Sequence, residues 1–160
     1  MNSLVGTGAA YVVTRILIAD ESPINSKSAV CLLEKSGYDV FHAKNVRELI
    51  FQVGNDGFDG LLNIQGLVIQ QGLPCSQKSC DQPQTDAEGR PKIESAFYKY
   101  IRSKFPSVPL VIYTKNKDAL SKLKISENGD CDVMFLETDV FFNRSTVDKI
   151  KVFFTSRQRS

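Results

Sequence analysis

"RILIADESPINSKSAVCLLEKSGY" (residues 15–38) decides the fold. Its first five residues form a short, nearly continuous apolar run, the pattern of a strand buried on both faces of a parallel sheet. Two acids, Asp20 and Glu21, end the run. Ser22 then stands as a helix cap with Pro23 at the first helical position. Ile24, Cys31 and Leu32 recur at helical spacing, and Gly37 stops the helix. The stretch therefore reads as strand, acidic loop, helix, and it raises the question of what the two acids are for.

The same alternation continues outward. "DVFHA" (39–43) is a second strand, and "NVREL" (45–49) opens a second helix with Asn45 as cap and Glu48 placed for a capping-box-like pairing. Val46, Leu49, Ile50 and Val53 form its apolar stripe. "FDGLLNI" (58–64) reads as the third strand, "PLVIYT" (109–114) as the fourth and "DVMFLE" (132–137) as the fifth. A helix carrying Ile93, Phe97, Tyr100, Ile101 and Phe105 and a weaker one over 117–126 lie between the last three strands. A closing helix follows Ser145, with Val147, Ile150 and Phe154 on one face. Repeated strand then helix implies right-handed crossovers, and so an α/β, doubly wound, five-stranded parallel sheet of flavodoxin-like form with helices on both faces. In such sheets the working crevice lies at the carboxyl ends of the strands. That gathers Asp20, Glu21, Asn63, Thr114 and Thr138.

Composition agrees with one domain. The chain has 160 residues, 42% hydrophobic and 24% charged, enough for a single core over 15–160 with residues 1–14 as a flexible segment or linker. A formal net charge of +2 lacks the basic excess of a dedicated nucleic-acid binder, so no nucleic-acid partner is expected. No apolar run approaches the roughly 20 residues that span a bilayer, and "MNSLVGTGAAYVV" lacks the basic and long apolar regions of a signal peptide. The expectation is a cytoplasmic chain without direct membrane contact. Among the four cysteines, Cys75 and Cys80 are spaced loosely for zinc and have no histidine near. His42, the sole histidine, alternates with apolar neighbours as a strand residue does, facing either solvent or a helix, and no catalytic role is expected of it.

The segment "ILIADESPINSKSAVCLLEKSGYDVFHAKN" (16–45) resembles, in order, the first strand, acidic loop, first helix and second strand of the receiver domain of response regulators and hybrid histidine kinases. "VPLVIYT" (108–114) is similar to the family's fourth strand with its terminal hydroxyl residue, and "DVMFLETDV" (132–140) to its fifth. The resemblance implies four functional groups. Two acids after the first strand would hold a divalent cation that neutralises phosphoryl oxygens; Asp20 and Glu21 keep them. An aspartate after the third strand would be the nucleophile, because a carboxylate can form an acyl phosphate. "FDGLLNIQG" offers Asn63, or Ile64 if matched without a gap, and neither can do this. Asp59 is excluded by geometry, since it begins the strand and lies four residues from its acidic end. A hydroxyl after the fourth strand is kept as Thr114, which could equally cap the strand end. The lysine expected after the fifth strand is replaced by Thr138, with Asp139 where proline is usual.

These departures lead to a degenerate pseudo-receiver: a non-enzymatic, phosphorylation-independent interaction module of a two-component or phosphorelay system. No cofactor is expected, and Mg²⁺ at Asp20 and Glu21 would bind weakly because two carboxylates are too few. The resemblance implies signalling partners (a histidine kinase, another receiver or a phosphotransfer domain) or self-association. It implies docking on the face of the fourth helix, fifth strand and last helix, residues 118–122 and 139–151, with Phe141 and Phe142 as apolar anchors unless they are core. The chain would then be cytoplasmic or the cytosolic domain of a membrane-bound kinase. Two alternatives remain open at this point: an active receiver using an unforeseen aspartate, and a small-ligand-binding α/β domain. Residues 66–92 read as a long insertion, whose beginning "LVIQQGL" could form a short strand or cover the old pocket. "GTGAAY" (6–11) lacks the context of a phosphate loop, "NRS" at Asn143 is a chance glycosylation match, and the basic tail "SRQRS" reads as a solvated helix end.

Overall fold

A computed structural model of the chain describes residues 13–53, 64–74, 94–106, 108–118, 120–121, 132–138 and 142–157. Its elements are β1 (Arg15–Ala19), α1 (Pro23–Lys35), β2 (Asp39–Ala43), α2 (Val46–Val53), β3 (Gly66–Gln70), α3 (Glu94–Lys104), β4 (Leu110–Thr114), β5 (Val133–Glu137) and α4 (Arg144–Arg157). Residues 117, 118, 120 and 121 are also helical. The strands form one sheet in the order β2-β1-β3-β4-β5, and every pairing is parallel. The doubly wound α/β expectation holds. β1 and β3 are the two strands between which the chain changes direction across the sheet, so a crevice opens at their carboxyl ends.

Strand alternation divides the apolar residues into two layers. Leu17, Ala19, Leu67, Ile69, Leu110 and Ile112 meet Val46, Leu49 and Val53 of α2 and Tyr98 and Ile101 of α3. Ile16, Ile18, Val68, Val111 and Tyr113 point the other way, onto Ala29 and Leu33 of α1 and Val147, Ile150 and Phe154 of α4. The caps follow the sequence reading. Ser22 Oγ accepts the Asn25 N–H at 3.3 Å, and Asn45 Oδ1 accepts the Glu48 N–H at 2.8 Å. The Glu48 carboxylate reaches back to the N–H of Lys44, one residue before the cap, at 3.0 Å. Gly37 ends α1 at φ +101°, where a side chain would be strained.

The third strand is not where its sequence suggested. Gly66–Gln70 fills the place between β1 and β4, with Leu17 opposite Leu67 and Ala19 opposite Ile69. Ile64 precedes the strand without belonging to it, and residues 58–63, Asn63 among them, lie outside the described residues. The start of the supposed insertion is thus central core: Leu67, Val68, Ile69 and Leu73 are fully buried. Residues 75–92 lie outside the described residues. The physical reason is backbone proximity. A Cβ on Gly66 would stand 2.9 Å from the Phe154 ring and 3.2 Å from Val13 Cγ1, so this strand lies against α4 closely enough to require glycine at that place.

Val13 and Thr14, ahead of β1, take part in the packing. Val13 is buried, and Gln65 Oε1 accepts from Thr14 N, Thr14 Oγ1 and Arg15 N at 2.8, 2.9 and 3.0 Å. At the same amino-terminal end of the sheet, Arg102 donates from Nη1 to the carbonyls of Phe105 (3.1 Å) and Val108 (2.6 Å) and from Nη2 to that of Asp132 (3.0 Å). One guanidinium thereby fastens the end of α3 to the entries of β4 and β5.

Candidate functional site

Each strand delivers its last residues to one rim. Asp20 follows β1, Gln70 ends β3, Tyr113 and Thr114 end β4, and Thr138 follows β5. Together with Glu21, Ser22, Asn25, Gln71, Lys115 and Asn116, the residues from β1, β3 and β4 line a crevice of about 350 Å³. The register places Ala19 beside Ile69, so Asp20 and Gln70 are the next pair along.

Asp20 is the centre of the crevice floor and is only 2% exposed. Its Oδ1 accepts the Ser22 N–H at 2.7 Å. Oδ2 accepts both the Asn25 side-chain amide and the Tyr113 hydroxyl in close contacts. A buried carboxylate costs several kcal/mol unless donors compensate it, and these three do so. Asn25 is orientated by chemistry: its Nδ2 faces a carboxylate that can only accept, and its Oδ1 faces the Phe142 N–H, which can only donate, at 3.0 Å. The Ser28 hydroxyl donates to the Phe142 carbonyl at 3.4 Å. The Phe142 ring stands edge-on to Tyr113, centroids 4.8 Å apart. Burial, and then the neighbouring Asp20, raise the Tyr113 phenol well above its usual range.

Glu21 is occupied differently. Its N–H donates to Gln70 Oε1 at 2.8 Å, and its Oε1 accepts the Gln70 side-chain amide at 3.0 Å. The pair closes a ring of two hydrogen bonds between the ends of β1 and β3. Thr114 Oγ1 accepts the Asn116 N–H at 3.0 Å, which is the strand-end cap reading of that hydroxyl. Thr138 is buried and its N–H donates to the Thr114 carbonyl at 3.0 Å. His42 sits exposed on the edge strand with Nε2 3.2 Å from the Asp20 carbonyl.

The chain is similar to response regulator structures. It matches the chemotaxis response regulator CheY4 of Vibrio cholerae at 16% identity with a TM-score of 0.59, over 89% of this chain and 99% of that one. It matches a CheY-like receiver domain protein of Methanospirillum hungatei at 18% identity with a TM-score of 0.59, over 92% and 98%. The fold is that of receiver domains. Against the RcsB response regulator of Salmonella typhimurium the identity is 16% and the TM-score 0.60, and the match covers 92% of this chain but 63% of that one, so this receiver fold spans less than two thirds of RcsB. No protein-family model and no curated protein sequence matches the chain.

On the receiver fold the sequence-derived site is partly reassembled. Asp20, Glu21, Thr114 and Thr138 come to the same end of the sheet as expected, and the residue beside Asp20 is Gln70; Asn63 lies outside the described residues. Phe142 is 3% exposed and packs in the core, so it is no surface anchor; Phe141 lies outside the described residues. Asn25, Gln70 and Tyr113 were not singled out from sequence. Gln70 had a signal: "GLVIQ" is an apolar run with β-branched members, free of the internal Asp and Gly of 58–62. Among the described residues no helix is long and apolar enough to cross a membrane.

Proposed function

We propose that the chain is a phosphorylation-independent receiver-fold module that acts by docking signalling proteins and carries out no chemistry of its own. The observation that supports this reading is Gln70. It ends β3 next to Asp20, the place that the resemblance gives to the nucleophilic aspartate, and its carboxamide is held by Glu21 on both its oxygen and its nitrogen. A carboxamide cannot form the acyl phosphate that a carboxylate forms. Thr138, where the resemblance expects lysine, adds no charge to pair with phosphoryl oxygens. Asp20 is no substitute acceptor, because its oxygens already take three donors on the crevice floor.

Docking would use the face made by β5 and α4. Met134, Asp148, Lys149, Val152 and Phe153 line a shallow apolar groove of about 480 Å³ there, and Val152 is 69% exposed. These residues take over the anchoring expected of Phe142. The partners proposed are a histidine kinase, a receiver or a phosphotransfer domain, in the cytoplasm. The test is incubation with Mg²⁺ and a small acyl-phosphate donor, followed by intact mass spectrometry. No hydroxylamine-labile phosphoryl adduct is expected while a conventional receiver is modified in parallel. Such an adduct would overturn the reading.

A further inference from the structure

The receiver resemblance implies a divalent cation at Asp20 and Glu21, and the residues present do not fit one. Mg²⁺ requires near-octahedral oxygen ligands and is held through carboxylates with free lone pairs. The Asp20 carboxylate instead accepts from Ser22, Asn25 and Tyr113, and the Glu21 carboxylate accepts from Gln70. The third ligand position is an amide. Among the described residues no group of three His, Cys, Asp or Glu side chains is placed to hold a metal ion.

We infer that the Tyr113–Asp20–Asn25 hydrogen-bond unit stands in the place of the cation and does its structural work, ordering the loops at the carboxyl end of the sheet without metal. A cation would join oxygens of separate loops by its charge. Here Asp20 joins donors of separate elements by accepting from them: Ser22 at the α1 cap, Asn25 in the first turn of α1 and Tyr113 at the end of β4. Asn25 passes the connection on, since its free carbonyl holds the Phe142 N–H just before α4. Tyr113 supports the same turn through its ring on Phe142. The entry to α4 is therefore fixed to α1 and β4 by side chains of this chain alone. The inference shares with the proposed function the amide of Gln70 at the third ligand position, but the hydrogen-bond unit itself is made without that residue.

Amide hydrogen exchange and thermal melting test it on the full chain, in EDTA and in millimolar MgCl₂. The native chain is expected to melt at the same temperature in both and to show the same protection at the Phe142 N–H. Tyr113→Phe, which keeps the ring on Phe142, is expected to lower that protection about tenfold, the loss of one buried hydrogen bond, and Asn25→Ala, which removes two, the acceptor of the Phe142 N–H among them, is expected to lower it further. Phe51→Ala, on the exposed side of α2, is expected to leave it unchanged. If Asn25→Ala fails to fold, Tyr113→Phe alone decides. A melting temperature raised by Mg²⁺ in the native chain, or Phe142 protection untouched in Tyr113→Phe, overturns the inference. A metal-independent phosphoryl adduct would overturn the proposed function and leave this unit standing, whereas Mg²⁺ stabilisation without an adduct would do the reverse.

Discussion

A single methylene-sized space decides whether β3 can lie where it does. Gly66 has the Phe154 ring 2.9 Å from the position of an absent Cβ. Gly66→Ala is expected to destabilise the fold by ~1–3 kcal/mol through overpacking. Phe154→Leu in the same chain should recover part of the loss, and urea unfolding of the two single variants and the double variant measures both. Tyr113 makes a second prediction. Its phenol is raised in the folded state, so its contribution to stability is complete below the unfolded value of about 10 and falls as pH rises above it, where the unfolded chain releases the proton first. Tyrosinate absorbance should therefore show Tyr113 ionising together with unfolding, and Tyr113→Phe should make the alkaline melting less steep. At this scale the sequence was half legible. Asp20 stands out because an acid after an apolar strand is unusual, but an asparagine in a helix and a tyrosine in a strand look like ordinary members of those elements. Only folding brings residues 25 and 113 to the same carboxylate.

At the scale of elements, most boundaries follow from local signals: the Ser22-Pro23 start, the Gly37 stop, and the Asn45 and Glu48 cap all stand as read. β3 does not, because two apolar runs compete for one place and periodicity cannot rank them. What the structure adds is tertiary: the strand that fills the place passes under Phe154, where Gly66 leaves the space that a Cβ would take. Arg102 shows how elements are then fastened. Its bonds to the carbonyls of Phe105, Val108 and Asp132 span the end of α3 and the entries of two strands. Arg102→Ala is expected to cost about 2 kcal/mol in denaturant unfolding, in the range of hydrogen bonds to a charged donor. Arg102→Lys should recover little, because an ammonium cannot fork between separated carbonyls as a guanidinium does.

For the whole molecule, stability rests on the two apolar layers rather than on surface charge. The described ion pairs, such as Arg15 with Asp39 at 3.5 Å and Lys117 with Glu137 at 4.0 Å, are solvent-exposed and contribute little. Ile69→Ala, fully buried on the central strand, is expected to cost ~2–5 kcal/mol, while Val152→Ala stays within about 0.5 kcal/mol of the native chain. Chemical denaturation separates the two readily, and near-equal values would mean that β3 is not central. The sheet has a further consequence for how the chain reaches this state. Every strand pair is parallel, so none can begin as a hairpin, and the Asn25 to Phe142 bond joins residues 117 apart in sequence. A contact of such separation closes a long loop and carries its entropic cost. The integrity of the crevice therefore depends on both ends of the domain at once, and a break anywhere between α1 and α4 would be felt at Asp20.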